Sequence, residues 1–330
     1  MQDYRFVYRI RVALMLTVVF LLMETPTTAQ ETFPSHPIQI IVGNPPGGAA
    51  DLHARHIAEA MQKVLKQPVL VVNKVGAAGT MAYQTVANNK PDGYTIGLAM
   101  PSFLIHTQVD ILFQRKPSYN IEQFRPLARL SADPNIIVVH ADSPWKSVTD
   151  LVADAKRRPG DITFGSAGLY SGAHFICEIF KAAAGINMRH IPYQGVGPSI
   201  TALLGRHVDS MATGPGPGFS HLKAGTMRGI AVSGDKRLAL MPEIPTFKEF
   251  GYNVEYSMMV GLVVRKETPP AVMRVLRDAV RQAARTPEFK GALAKVATEV
   301  AYLDEDEFLE NWKSETKVFG ETLKQIGKKE

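Results

Sequence analysis

Cysteine is almost absent from this chain, and its scarcity excludes two kinds of stabilising site. Cys177 is the one cysteine among 330 residues, so no disulfide can form within the chain. Zinc sites built on clusters of cysteines are excluded for the same reason. Cys177 stands among Phe175, Ile176 and Phe180, and such a setting predicts a buried, unreactive thiol.

Long runs of one charge are missing as well. The formal net charge of +6 is spread along the chain without a basic tract or interleaved aromatic residues. The composition therefore gives no support to nucleic-acid binding. A mildly positive protein is suited to attracting anionic small molecules.

Long hydrophobic runs are confined to the N-terminus. Three arginines within the first eleven residues precede an apolar stretch at 12–23 and a small-residue site ending at Ala29. The stretch is too short to span a bilayer, so residues 1–29 read as a secretory signal peptide cleaved near Ala29. We expect the mature protein to begin near Gln30 and to be periplasmic, and the absence of cysteine at the cleavage site argues against a lipid anchor.

The most informative stretch is residues 38–51, which read IQIIVGNPPGGAAD. An apolar run predicts a buried strand, the Pro-Pro-Gly-Gly sequence predicts a tight turn, and a helix is expected over 52–66. The N–H groups of Gly47, Gly48 and Ala49 would then point outward at a helix N-terminus, which attracts anions. Because the Gly-Lys-Ser/Thr ending of a phosphate loop is missing, a carboxylate is the better candidate. A plain strand-to-helix turn without a ligand is the alternative.

Two more strand and helix units follow. Strands are predicted at 69–72 and 94–100, and a glycine-containing turn at 76–79 precedes a helix over 80–88. Such a succession predicts an α/β protein with parallel strands, whose ligands bind at the carboxyl ends of the strands.

The second half repeats this chemistry. A strand at 162–164 runs into Gly165-Ser166-Ala167-Gly168, and a helix is expected from Ser171 to Ala184. Two such edges facing one another would form a cleft. The sequence at 214–218, GPGPG, predicts an irregular loop at the cleft or a hinge. A strand at 260–264 should return the chain to the first domain, before terminal helices over 269–284, 288–295 and 305–323.

The ordered set of motifs resembles one family over essentially the whole mature chain. The motifs are FPSHPIQIIVGNPPGGAAD, QPVLVVNKVGAAGT, PDGYTIGL, RPGDITFGSAGLYSGAH, HIPYQGVGPSITALLGRHVD, KAGTMRGIAVSGDKR and MPEIPTFKEFGY. In their order and spacing they resemble the extracytoplasmic solute receptors of tripartite tricarboxylate transporters, the Bug-type binding proteins.

The resemblance implies a two-lobed α/β periplasmic binding protein of type II, the Venus flytrap fold. Lobe 1 would comprise residues 30–128 and 245–330, and lobe 2 residues 129–244. The protein would be a receptor, not an enzyme, and would capture a dicarboxylate, tricarboxylate, amino acid or aromatic acid for a membrane permease. It implies a monomer without cofactor, metal or nucleic-acid partner.

The resemblance also implies site residues, because relatives hold a carboxylate largely through main-chain donors and ordered waters. In lobe 1 they are Pro46, Gly47, Gly48, Asp51, Gly76, Ala77, Ala78 and Gly79. In lobe 2 they are Ser166, Ala167, Gly168, Ser171, His174, Tyr193, Gln194 and Gly195.

Three segments depart from the family pattern. Met259-Val260 replace a common aromatic residue, residues 213–218 replace an acidic or amide-bearing loop, and the predicted loop at 100–103 is unusually apolar. These segments would surround the distal part of the ligand, so an aromatic or apolar carboxylate is one possibility.

Several residues have structural interpretations beside the functional one. Asp51 could select a ligand amine or hydroxyl, or cap the following helix. Ser166 and Ser171 could donate to a ligand or cap a helix, and His174 could reach the cleft or pack in the core. His53, with His56 on the same helix face, makes half a metal site at most.

The sequence also raises two alternative functions. A hydrolase would use Ser166, but the nucleophile elbow requires glycine two residues earlier, where this chain has Phe164. A receptor that presents its ligand to a sensor instead of a permease would use the same binding fold, so the sequence does not separate these two.

Overall fold

The computed structural model describes residues 32–47, 49–76 and 79–327. The predicted signal peptide and the site residues Gly48, Ala77 and Ala78 lie outside the described residues. From His36 onward the described residues form one compact unit.

The chain alternates strands and helices and forms two mixed sheets. The strands are β1 Ile38–Val42, β2 Val69–Asn73, β3 Thr95–Ala99, β4 Phe124–Pro134, β5 Ile136–His140, β6 Thr163–Ser166, β7 Arg189–Pro192, β8 Ser210–Thr213, β9 Met227–Val232, β10 Ser257–Arg265 and β11 Val300–Leu303. The helices are α1 Ala49–Leu65, α2 Thr80–Asn88, α3 Pro101–Leu112, α4 Val148–Arg157, α5 Gly172–Ala184, α6 Val196–Leu204, α7 Pro215–Lys223, α8 Pro270–Arg285, α9 Pro287–Lys295 and α10 Glu305–Ile326. No helix in this described part is both long and apolar enough to cross a membrane.

The first sheet has six strands in the order β11-β4-β10-β3-β1-β2. β1 lies parallel to β2 and β3, with Ile38 opposite Val69 and Ile40 opposite Ile96. β10 runs antiparallel to β3 and β4 and so returns the chain to this sheet from the second half. Helix α1 covers the sheet because its apolar residues recur at helical spacing, and Ala54, Ile57 and Met61 are fully buried.

The second sheet has five strands in the order β7-β6-β8-β5-β9. β6 lies parallel to both β7 and β8, while β5 runs antiparallel to β8 and β9. The carboxyl ends of β6, β7 and β8 therefore meet at one edge, as those of β1 to β3 do in the first sheet.

The chain passes between the sheets where three segments are joined by hydrogen bonds. Ser233, fully buried, accepts the N–H of Asn135 with its Oγ at 2.9 Å and donates its hydroxyl to the carbonyl of Tyr256 at 2.7 Å. Its own N–H donates to the carbonyl of Asn135 at 2.8 Å. Ser233 thus ties the first crossing, at Asn135, to both ends of the second, which joins β9 to β10.

Two sequence predictions of irregular structure are wrong. Residues 214–218 are not a loop, because α7 begins at Pro215, and the predicted loop at 100–103 begins helix α3 at Pro101. Proline is tolerated at the first turn of a helix, where its missing N–H would have had no intrahelical partner. The short edge strand β11 was not predicted.

Candidate functional site

The loops that follow β1 and β2 touch through their main chains. A Cβ added to Gly43 would lie 2.6 Å from the Cα of Gly79, so no side chain fits at residue 43. Gly79 has φ 95° and stands at the N-cap of α2. A residue with a side chain would be strained there, so glycine at both positions permits a continuous main-chain surface at this edge.

The buried side chain of Asp51 anchors the loop after β1 through hydrogen bonds. Its carboxylate, 1% exposed, accepts hydrogen bonds from the Gly47 N–H at 2.9 Å, Arg55 Nε at 2.8 Å and Asn73 Nδ2 at 2.9 Å. Burial alone would raise the pKa of Asp51, but the bonds from Arg55, Gly47 and Asn73 outweigh it and hold that pKa below its ordinary value. The expectation that the Gly47 N–H points outward is wrong, because this carboxylate already accepts it.

Two helix N-termini at the candidate edges lack a side-chain cap. Gly79 precedes α2, and Gly195, with φ 121°, precedes α6. Neither glycine offers an oxygen to the first N–H groups of its helix, whose donors carry the positive end of the helix dipole. These N–H groups can donate hydrogen bonds to an incoming anion.

In the second sheet the loops after β6 and β7 lie side by side. The N–H of Tyr193 donates to the carbonyl of Ser166 at 3.0 Å, and a Cβ on Gly168 would lie 3.5 Å from the carbonyl oxygen of Tyr193. Residues 166–171 and 193–195, which include Ala167 and Gln194, therefore form one edge. Gln194 is exposed, whereas Tyr193 and Ala167 are half-buried.

The two serines of this edge differ in exposure. Ser166 is fully buried, and its Oγ bonds to both the N–H and the carbonyl of Gly168 and lies 2.6 Å from His190 Nε2. Ser171 is half-buried and accepts the His174 N–H at 3.3 Å, as the cap of α5. Since its Oγ accepts in that bond, its hydroxyl hydrogen can still be donated to a ligand.

His174 lies behind the loop, in the core. Its ring is fully buried, its Nδ1 accepts the N–H of Tyr170 at 3.0 Å, and it stacks on His190 at 3.9 Å. Because Nδ1 is the acceptor, Nε2 carries the hydrogen and faces Glu178 Oε1 at 3.4 Å. The contacts of this ring support the packed interpretation, in which it shapes the loop.

Sequence reasoning missed Tyr170, which adopts φ 57° between Gly168 and Ser171. Its ring is buried, packs edge-on against Phe113, and its hydroxyl donates to the carbonyl of Gly327 at 3.3 Å. A left-handed backbone is unusual for a bulky residue and costs on the order of 1–2 kcal/mol. Residue type gives no signal of such a conformation.

His53 has structural partners at both ring nitrogens. Nδ1 donates to the carbonyl of Ala49 at 2.7 Å, and Nε2 lies 3.1 Å from Ser131 Oγ. Burial lowers its pKa, which favours the neutral ring. Across the described residues, no group of three or more potential ligands is placed to hold a metal ion.

The remaining predicted features lie in the core. Cys177 is 1% exposed, and burial raises the pKa of its thiol, which confirms the unreactive cysteine. Met259 and Phe103 are buried in the core cluster, and α7 brings Gly216 close to the carbonyl of Val296. Side chains at 103 and 259 therefore fill the protein interior.

Two surface cavities lie along edge strands of the second sheet. One, of about 530 Å³, borders β9 and includes Arg228 and Glu243; the other, of about 480 Å³, borders β7 and includes Lys181 and Arg189. All their lining residues come from the half of the chain that carries the second sheet.

Comparison with known proteins identifies the family. The profile of the tripartite tricarboxylate transporter family receptor matches residues 53–328. A protein of the gbd 5′ region of Cupriavidus necator is 34% identical over 310 residues, which are 93% of this chain and 93% of that protein.

Solved structures agree with this assignment. A TctC solute binding protein from Polaromonas is 30% identical with a TM-score of 0.76, over 89% of this chain and 100% of that one. The periplasmic binding protein BugD is 27% identical with a TM-score of 0.76, over 89% and 98%.

Two more distant Rhodopseudomonas palustris structures support the fold alone. One, with adipate, is 24% identical with a TM-score of 0.79 over 88% of this chain and 97% of that one. MatC, with bound malate, is 23% identical with a TM-score of 0.76 over 88% and 100%. The chain has the two-lobed fold of periplasmic binding proteins and belongs to the tripartite tricarboxylate transporter receptor family, whose members are solute-binding receptors and not enzymes.

Proposed function

We propose that this protein is a periplasmic receptor that captures a small carboxylate between its two lobes and delivers it to the permease of a tripartite tricarboxylate transporter. The proposal rests on two helix N-termini, one at the strand ends of each sheet, whose N-cap residue is glycine and which therefore lack a side-chain cap. Adipate and malate in the distant structures are carboxylates, which agrees with this chemistry.

The two sheets support the division into lobes predicted from the resemblance. We propose the predicted lobes, residues 30–128 and 245–330 for lobe 1 and 129–244 for lobe 2, with the first boundary moved to Asn135, because β4 Phe124–Pro134 belongs to the first sheet. The second crossing lies between β9 and β10. Ser233 would then stand at the hinge.

Site residues divide into ligand contacts and residues that position them. We assign contacts to main-chain N–H groups and exposed polar atoms along both edges, and positioning to the buried polar side chains. The contact set is Gly48, Gly76, Ala77, Ala78, Ala167, Ser171, Tyr193, Gln194 and Gly195. Pro46, which has no N–H, and Gly79 and Gly168, whose N–H groups already donate to the Gly76 carbonyl and to Ser166 Oγ, would border the ligand without donating to it. The positioning set is Gly47, Asp51, Ser166 and His174.

Closure follows from where the donors lie. A carboxylate bound to one edge alone leaves the N–H groups of the other edge to water, whereas the closed form lets one ligand use both. Contacts made only in the closed form shift the hinge equilibrium towards it. A permease can then distinguish the loaded receptor from the empty one.

The proposal is tested by a thermal-shift screen of the secreted protein against carboxylates, amino acids, aromatic acids and neutral or cationic compounds, followed by calorimetric titration of the hits. A ligand at 100 times its Kd stabilises the protein by about 2.7 kcal/mol, a shift that the screen resolves. Carboxylates alone should raise the melting temperature. A rise with neutral or cationic compounds and none with any acid would contradict the proposal.

A matched pair of glycine variants separates the site from general strain. Gly79→Ala places a methyl group at φ 95° beside the α2 N-terminus, and Gly185→Ala places one at φ 61° at the far end of α5. Both should lose about 1 kcal/mol of unfolding free energy, because alanine is strained at positive φ. We expect Gly79→Ala to weaken carboxylate binding at least tenfold and Gly185→Ala to leave it unchanged.

A further inference from the structure

The loop between β2 and α2 and the first turn of α2 expose apolar side chains beside the candidate edge. Val75 and Met81 are each 50% exposed. Few other large apolar side chains among the described residues are as exposed. A Cβ on Gly76 would overlap the Met81 sulfur, so this side chain lies directly over the Gly76 main chain. Exposed apolar surface beside a candidate binding loop is suited to contact with an apolar part of a ligand.

Charge is scarce around the same surface. Loops 43–48, 74–79, 166–171 and 193–195 contain a single charged residue, Lys74, which is exposed. The nearest charges behind the first loop, Asp51 and Arg55, are paired with each other at 2.8 Å. One carboxylate can therefore be served by N–H groups and Lys74, while a second ionised group would have no further basic side chain on these loops to meet it.

The opposite edge has the same character. Tyr193 and Val196 flank Gly195, and both are half-buried against the apolar cluster beneath the second sheet. Each uncapped helix N-terminus is thus bordered by apolar groups.

We propose that the ligand is a carboxylate with an apolar body, and that Met81 and Val75 form the subsite for that body. This inference rests on the proposed function, because it places the carboxylate on the glycine edges. Unbranched methionine is suited to the role, since its flexible thioether adapts to aliphatic and aromatic shapes alike.

Calorimetric titration with straight-chain acids tests the subsite directly. From acetate to hexanoate, the Kd should fall about fourfold for each methylene that is fully buried, following the free energy of burying a methylene. Hexanoate should bind more tightly than adipate, because the second carboxylate of adipate would lose its hydration among apolar groups. A flat chain-length series, or tighter binding of adipate than of hexanoate, would overturn the inference.

Met81→Gln keeps the length of the side chain and replaces its apolar end. We expect this variant to flatten the chain-length series while leaving the Kd for acetate within twofold, and Val75→Thr to act in the same direction. Leu240→Gln, at an exposed leucine between β9 and β10, is the matched control and should leave the series unchanged. Melting temperatures of all three variants verify that they are folded.

The outcomes separate the two proposals. Failure of every carboxylate to bind the wild-type protein would contradict the proposed function itself. Binding of carboxylates without a dependence on chain length or on Met81 would contradict the apolar subsite alone.

Discussion

The two lobes fix their candidate edges by different chemistry. Behind the first edge, Asp51 gathers a guanidinium, a side-chain amide and a main-chain N–H into a charged but internally neutralised cluster. Behind the second, Ser166, His190 and His174 form a hydroxyl and imidazole network that stacks in the core. In both lobes the polar side chains satisfy the loop from within, which leaves the main chain at the helix N-terminus for a ligand.

The difference matters for how each edge responds to change. Removing a charge from the first cluster leaves Arg55 without its carboxylate, whereas removing the Ser166 hydroxyl breaks bonds within a single loop and its neighbour. We therefore expect the first edge to be the more sensitive of the two.

The largest effect is expected for Asp51→Ala. Loss of this buried carboxylate should lower the unfolding free energy by about 2–4 kcal/mol and abolish ligand binding, because the Gly47 loop loses its anchor. Asp154→Ala is the matched control, since Asp154 on α4 accepts bonds from Trp145, Arg157 and Arg158, none of which belongs to the candidate loops. Urea unfolding and calorimetry should show destabilisation in both variants and loss of binding in Asp51→Ala only. Equal ligand binding by the two variants would show that the first edge does not depend on Asp51.

A smaller effect is expected for Ser166→Ala. The Gly168 N–H loses its bond to the fully buried Ser166 hydroxyl, which should cost about 1–3 kcal/mol and weaken binding roughly tenfold through the displaced loop. Ser199→Ala provides the control, because Ser199 is equally buried but its hydroxyl donates to Met211 Sδ, at 3.7 Å, and not to a candidate loop. If Ser199→Ala weakened binding as much, the loop would not depend on the Ser166 network in particular.

The last prediction concerns the pH dependence of the unfolding free energy and a residue in the lobe of the first sheet. Burial raises the pKa of Glu315 to about 7, although Arg129, Ser257 and Asn311 favour its charged form. The folded protein then binds a proton that the unfolded chain has released, so stability should fall as pH rises from about 4.5 to 7. Glu315→Gln should flatten this profile by about 1–3 kcal/mol in denaturant titrations at both pH values. An unchanged slope would show that another group titrates.

Much of the fold was predictable because its elements are coded locally. The apolar run before Gly43 and the helical spacing after Asp51 predicted β1 and α1, and resemblance extended the prediction to two lobes. Helix α7 is not evident from the sequence because GPGPG is typical of loops, although proline is favoured at the first helical position, where Pro215 lies.

The candidate site was less predictable, because its supports come from distant parts of the chain. Asn73 reaches Asp51 from the end of the neighbouring strand, and His190 reaches Ser166 from β7. These pairs meet because their strands are neighbours in the sheet, and the order of strands cannot be read from one sequence alone. The conformation of Tyr170 depends on His174 and on contacts with Phe113 and Gly327, so it emerges only once the fold has formed.

The most direct test is a crystal structure of the protein with the tightest-binding acid from the titrations. We expect the carboxylate oxygens to lie within hydrogen-bond distance of main-chain N–H groups at the N-termini of both α2 and α6, with the apolar body against Met81. A carboxylate held instead by Arg189 or Arg228 in the edge cavities, or by one lobe alone in a closed structure, would contradict it.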